Sequence, residues 1–262
     1  MDAEMINFTA ALVQTDIIWH DIQANIKHAE ELIASVNSGI SLIALPEMFS
    51  TGFTMHPEIF AEDMDSQTVE AMKKMSCSTV SDVAGSIIIR ENNRYFNRLI
   101  WASPDNKIRY YDKRHLFRPA NENDVYTAGT SNIIIERDGW RIMPFICYDL
   151  RFPVCTRNTM LQYDILLFLA NWPCLRQNHW EILLRARAIE NQCYVVGVNR
   201  SGKDGNGIEY KGGSVVFDFK GDVIVRAGEH EQIVECSLEY SPLLEYRSSL
   251  PFWMDADKFY IC

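Results

Sequence analysis

No two of the seven cysteines, at positions 77, 147, 155, 174, 193, 236 and 262, form a Cys-x-x-Cys pair. Their odd number and scattered spacing speak against a disulfide framework and offer no zinc-ligand pattern. Six histidines include no His-x-x-x-His or comparable pairing, so no metal centre is expected. No basic cluster exceeds a short pair and the formal net charge is −10. That balance argues against nucleic acid or an anionic membrane surface as a partner, while leaving room for a small anionic substrate in a local cationic pocket. No stretch approaches the roughly 20 apolar residues of a membrane span. Residues 1–8 lack the basic and apolar regions of a signal peptide. No linker, low-complexity tract or short-period repeat divides the chain. These absences predict a cytoplasmic protein without cofactor, built as one domain over residues 1–262, in a compartment that keeps thiols reduced.

What is present is a core. Hydrophobic residues make up 47% of the chain, typical of a folded globular protein. Residues 6–13 read as an apolar first strand. Ile22, Ile26, Ala29, Ile33 and Val36 then mark one face of a helix stopped at Asn37-Ser38-Gly39. Residues 65–76 read as a helix with Asp65 or Ser66 as N-cap. Residues 83–90 and 95–102 form an antiparallel pair, and residues 133–136 and 141–146 another hairpin. Pro144 cannot donate to a ladder, which predicts an edge or a bulge there. Residues 161–169 are a nearly continuous apolar strand, 176–191 a helix and 194–198 a strand. A late hairpin joins residues 215–219 to 223–226. The mixture of βα units and hairpins predicts an α/β fold with a mixed sheet.

The most informative stretch is Ile146-Cys147-Tyr148-Asp149-Leu150-Arg151-Phe152-Pro153. A strand leads into a cysteine, and a polar turn leads to a proline suited to the first turn of a helix. A thiol between a strand end and a helix start meets backbone N–H groups and a helix dipole, which favour thiolate. Against this stands the ordinary reading of Cys147 as a buried apolar residue. Leu45-Pro46-Glu47 places a carboxylate at another strand tip. Tyr111-Asp112-Lys113-Arg114-His115 places an amine at a third. Reactive groups in α/β sheets gather at the carboxyl ends of strands, so the three could share one crevice.

With those segments the sequence resembles the carbon–nitrogen hydrolase (nitrilase) superfamily, which carries a Glu-Lys-Cys triad in that chain order. Asn171-Trp172-Pro173, His179-Trp180 and the run from Arg185 to Gln192 extend the likeness over almost the whole chain. It is most similar to the ω-amidase branch, bacterial 2-oxoglutaramate amidases in particular, through Phe49-Ser50-Thr51-Gly52-Phe53 and Lys113-Arg114-His115-Leu116-Phe117-Arg118. The resemblance implies a four-layer α-β-β-α sandwich of two mixed sheets, a homodimer, and hydrolysis of small 2-oxo ω-amides. It implies Cys147 as nucleophile, Glu47 as proton carrier, and Lys113 beside the oxyanion with the Tyr148 N–H. It also implies Glu122 as a second carboxylate, with Asp124 close enough to compete for that role. Trp172, Phe53, Phe117 and Arg118 are the candidates for the substrate pocket, in each case against plain packing or surface charge.

Other readings remain. An amidase for deaminated glutathione or another acyl amide shares the chemistry, and nitrile hydrolysis is the weaker likeness. A thiol protein that binds a metabolite or senses oxidation would have no need of Glu47, Lys113 and Cys147 together. His115 and His179 would suit a Cys-His hydrolase, but no cysteine-protease signature surrounds Cys147, and both read as hydrogen-bonded structural residues. Cys155 reads as packed on the helix after Cys147, and Arg151 as ordering that loop through Asp149. The glycines between 202 and 213 read as a flexible loop near the site.

Overall fold

The computed structural model describes residues 7–257 and 259; residues 1–6, read for the signal peptide and for the start of the first strand, and Cys262 lie outside them. The chain runs through β1 (Phe8–Gln14), α1 (Ile22–Ile33), β2 (Leu42–Ala44), a short α2 (Pro57–Phe60) and α3 (Gln67–Thr79). It continues as β3 (Asp82–Glu91), β4 (Arg94–Ala102), β5 (Ile108–Asp112), α4 (Glu122–Val125), β6 (Ile135–Arg137) and β7 (Trp140–Ile146). Then come β8 (Ile165–Ala170), α5 (Gln177–Asn191), β9 (Tyr194–Asn199) and a hairpin of β10 (Ser201–Lys203) and β11 (Glu209–Lys211). The last elements are β12 (Val215–Phe217), β13 (Val223–Arg226), β14 (Gln232–Leu238) and α6 (Tyr240–Ser249).

Two six-stranded sheets result, ordered β14-β1-β2-β3-β4-β5 and β13-β12-β9-β8-β7-β6. Each is mixed. The central ladders β1·β2, β2·β3, β7·β8 and β8·β9 are parallel, and the outer ones antiparallel. Alternation along β1 explains the layering, because successive side chains point to opposite faces. Phe8, Ala10 and Leu12 face inward and join Ile142, Phe145 and Phe168 of the second sheet in one core. Ala11 and Val13 face outward and meet Ile26, Ala29 and Ile33 of α1 and Val69, Met72 and Met75 of α3 in another. Helix α5 covers the second sheet, with Trp180, Leu184 and Ala188 in the shared core. The architecture is the four-layer α-β-β-α sandwich. Among the described residues no helix is long and apolar enough to cross a membrane.

Differences from the sequence reading lie at element ends. Helix α1 starts at its expected face, with Asp21 accepting from the Ala24 N–H at 3.0 Å. It stops at Ile33, short of Gly39, yet Val36 still packs on the same core. Helix α3 has Ser66, not Asp65, as N-cap and runs on to Thr79. The strand expected from residue 161 begins only at Ile165, because residues 159–161 make a 3₁₀ turn and Asp164 is held by Arg141 and Arg247. Pro144 produces no bulge. It lies beyond the last β6 pairing, Ile135 with Ile142, so one side of β7 is an edge there.

Helix α5 lies so close on β9 that a Cβ at Gly197 would sit 2.5 Å from Leu184 Cδ1 and 2.8 Å from Trp180 Cζ2. Gly197→Ala should therefore cost about 1–3 kcal/mol, the scale of overpacking. A urea titration should show a lower midpoint with unchanged slope. An unchanged midpoint would mean that the helix moves off the sheet without strain.

Candidate active site

Strand ends bring the candidate residues together. Glu47 follows the Pro46 turn after β2, Lys113 follows β5 directly, and Cys147 follows β7 directly. Asn171 ends the run after β8. Glu122 opens α4, a single turn whose preceding residue, Asn121, has φ +59°. Cys147 itself is left-handed at φ +43°, as is Met48 at +41°. Non-glycine residues avoid this region, so such angles mark positions that the surroundings hold by force.

Glu47, Glu122 and Lys113 are at most 1% exposed. Lys113 Nζ donates to Glu47 Oε1 at 2.8 Å and to both Glu122 oxygens at 2.9 Å. Burial alone would depress this ammonium, but the Glu122 and Glu47 charges outweigh it and hold its pKa above the ordinary lysine value. Burial, reinforced by Glu47 and opposed by Lys113, pushes Glu122 up. The Phe117 N–H also donates to Glu122 Oε2, at 2.5 Å. Asp124, two residues on in the same turn, is exposed, so the structure sets Glu122 and not Asp124 against Lys113.

The Glu47 carboxylate is divided between two tasks. Its Oε1 accepts from Lys113 and from Asn97 Nδ2, the latter at 2.8 Å. Its Oε2 accepts the Asn171 N–H at 2.9 Å. The Cys147 thiol donates to the Asn171 carbonyl at 3.9 Å, and the Glu47 charge is near enough to act on its ionisation. Asn97 Oδ1 in turn accepts from Ser86 Oγ at 2.8 Å, and Ser86 Oγ accepts the Met48 N–H. Nothing local in the sequence singled out Asn97, an amide beside Arg98 in a strand that also carries apolar residues.

Two expectations about Cys147 are corrected. No α-helix follows it. Residues Cys147–Arg151 form one 3₁₀ turn that ends before Pro153, so no helix dipole faces the thiol, and Cys155 lies in the following turn, buried. The thiol pKa is raised well above the ordinary cysteine value, first by burial and then by Glu47, with only partial relief from Lys113. The resting group is thus a thiol beside a proton acceptor. Arg151 does not pair with Asp149. The Asp149 carboxylate accepts from Tyr111 OH, the Ile146 N–H and the His115 N–H, and bonds the His115 ring at 2.7 Å, which makes His115 a support of the Cys147 turn. Arg151 lies instead over Trp172, 4.8 Å from the ring centroid, and bonds His179 Nδ1.

A cavity of about 320 Å³ opens over these groups. Its floor carries Glu47, Lys113 and Cys147, and Phe53, Phe117, Tyr148 and Trp172 line it. Phe53 lies 5.1 Å from Lys113 Nζ, and Phe117 stands edge-on to Tyr148. Arg118 does not line the cavity; it is exposed at the start of a 3₁₀ turn. The arginines that do line it are Arg151 and Arg176, and Arg176 lies 5.5 Å from the Phe117 ring. Among the described residues neither arginine forms a salt bridge. The glycine-rich segment is no loose loop: β10 and β11 make it a hairpin that puts Asp204, Asn206, Ile208 and Tyr210 on the cavity wall.

Residues 9–243 match the carbon–nitrogen hydrolase family, to which the chain belongs. Its reaction class is that of an amidase. It is 42% identical over 251 residues to the omega-amidase YafV of Escherichia coli strain K12, with 95% of this chain and 96% of that protein covered. It is 33% identical over 257 residues to the 2-oxoglutaramate amidase of Bacillus subtilis strain 168, with 97% and 99% covered. The crystal structure of XC1258 from Xanthomonas campestris, a CN-hydrolase superfamily protein with an arsenic adduct in its active site, superposes with a TM-score of 0.96. That match is 42% identical and covers 98% of this chain and 100% of the other.

The electrostatics of the thiol give a direct test. Glu47→Gln removes one of the two influences that raise its pKa and leaves Lys113, which lowers it. Thiolate ultraviolet absorbance, taken as the difference from Cys147→Ala, should appear above the ordinary thiol range in the native protein and at lower pH in Glu47→Gln. Ionisation of native Cys147 near neutrality would contradict this site description.

Proposed function

We propose that the protein is an ω-amidase that hydrolyses the terminal amide of small 2-oxo dicarboxylate monoamides, such as 2-oxoglutaramate and 2-oxosuccinamate, through a Cys147 thioester. The observation that carries the reading is a single carboxylate, Glu47, which accepts from the Lys113 ammonium and acts on the Cys147 thiol, on the floor of a small cavity whose wall holds two arginines without a salt bridge among the described residues. The names of the E. coli and B. subtilis relatives support the same substrate class.

Glu47 takes the thiol proton as sulfur attacks the amide carbon, so no free thiolate has to persist in the resting site. The oxygen of the tetrahedral intermediate develops its charge beside Lys113 and the Tyr148 N–H, which begins a 3₁₀ turn and has no partner within it. Glu47 returns its proton to the leaving nitrogen, and ammonia departs. Water then enters, gives a proton to Glu47 and attacks the thioester; the acid leaves and Cys147 regains its proton. Glu122 keeps the Lys113 ammonium charged and fixed while Glu47 gains and loses its proton, because both Glu122 oxygens accept from Nζ at 2.9 Å.

The cavity wall favours an anionic distal end. Arg151 and Arg176 over their aromatic rings offer charge-assisted hydrogen bonds to a carboxylate, which would hold the amide carbon within reach of the sulfur. Glutamine carries an ammonium where these substrates carry an oxo group, and meets those cations unfavourably. Steady-state kcat/KM for 2-oxoglutaramate, glutamine, butyramide and deaminated glutathione tests the assignment. 2-Oxoglutaramate should lead by at least about tenfold, the scale of one well-placed contact. A lead for deaminated glutathione, or butyramide equal to 2-oxoglutaramate, refutes the substrate class and leaves the amidase chemistry standing.

A further inference from the structure

The indole of Trp19 forms part of the cavity wall, and it fits there only because two glycines far apart in sequence leave room for it. A Cβ on Gly52 would lie 2.8 Å from Trp19 Cε3. A Cβ on Gly205 would lie 2.2 Å from both Cδ1 and Nε1. Gly52 belongs to the Phe49–Phe53 motif after Glu47, and Gly205 to the turn of the β10–β11 hairpin. The ring is also stacked on His20 at 4.1 Å, and His20 lies at 4.1 Å from Phe60, so the indole is backed by a row of rings.

The backbone that carries Trp19 is fastened on both sides. Asp16 bridges to Ser201, and Arg200 Nη2 donates to Asp16 Oδ1 at 3.0 Å and to the Ile17 carbonyl at 3.1 Å. The His20 N–H donates to the Thr51 carbonyl at 3.0 Å, and Asn25 Nδ2 joins the Ile18 and Ser50 carbonyls. A side chain held this way is a fixed wall, not a mobile lid. Its neighbours on the wall, Asp204 and Tyr210, are bonded to each other at 3.0 Å and are equally fixed.

We propose that Trp19, clamped between Gly52 and Gly205, is the stop that limits the length of the acyl chain accepted in the cavity. The inference rests on the reading of this cavity as the place where an ω-amide lies with its amide at Cys147. A rigid indole admits chains up to the wall and excludes longer ones by overlap; shaving it away opens space that extra methylenes can fill. One methylene in a fitted apolar pocket is worth about 10–200-fold in kcat/KM.

The test uses the 2-oxo derivatives of a series of dicarboxylate monoamides that grows one methylene at a time, from succinamate through glutaramate and adipamate to pimelamate. The native protein should lose activity beyond glutaramate by at least about tenfold per added methylene. Trp19→Ala should move the optimum to adipamate or pimelamate, with the relative preference for the longer chains raised by at least about tenfold. Gly205→Ala should act in the opposite sense, pressing the indole into the cavity and reducing glutaramate turnover more than succinamate turnover. If Trp19→Ala fails to fold, Trp19→Phe, which keeps a ring against His20, should give a smaller shift in the same direction. An unchanged length profile in the folded Trp19 variants overturns the proposal. A native protein that cleaves none of the series refutes the ω-amide reading instead.

Discussion

One buried ammonium organises this molecule. Lys113 lies in contact with two carboxylates, Glu47 and Glu122, where none of the three is solvated. Taking such charges out of water costs several kcal/mol apiece, and only mutual contact with further hydrogen bonds offsets it. The surroundings answer that demand: Asn97, the Asn171 N–H and the Phe117 N–H complete the carboxylate shells, and Ser86 and Met48 fix Asn97. Strands from both sheets must therefore end at one point in space. Removing either carboxylate would leave the charge balance, and with it the geometry at Cys147, without support.

The same cluster sets the state of the thiol. Lys113 is near enough to favour a thiolate, but Glu47 and burial oppose it, and the pKa of Cys147 rises. A thiol poised against a carboxylate keeps its proton until an electrophile arrives. That arrangement suits a nucleophile whose proton must go to a leaving amine, since the carboxylate that receives it already faces the reacting atoms.

Much of this was legible because the informative residues are local. Apolar runs ending in Pro46-Glu47, Asp112-Lys113 and Ile146-Cys147 mark strand tips, and tips of parallel strands converge. The helix expected after Cys147 was wrong for a local reason: Pro153 suits a helix start, but it equally ends the 3₁₀ turn that precedes it. The thiol's direction of shift was wrong for a distant one, because both its burial and the Glu47 charge come from residues far from Cys147 in sequence. Arg118 stood beside the right motif yet is exposed and not part of the cavity lining, while Arg151 and Arg176, which line it, carried no spacing that marked them. Trp19 was invisible for the same reason. Its role depends on two glycines from separate loops meeting its ring.

Trapping the acyl-enzyme tests the central claim most directly. Acid-quenched protein caught during turnover of 2-oxoglutaramate, analysed by intact mass and peptide mapping, should carry one acyl group in thioester linkage on Cys147. Glu122→Gln, with Lys113 no longer held between two charges, should accumulate less of it at equal time. Turnover in Cys147→Ala, or an acyl group found on Cys155 or Cys77, would contradict the account.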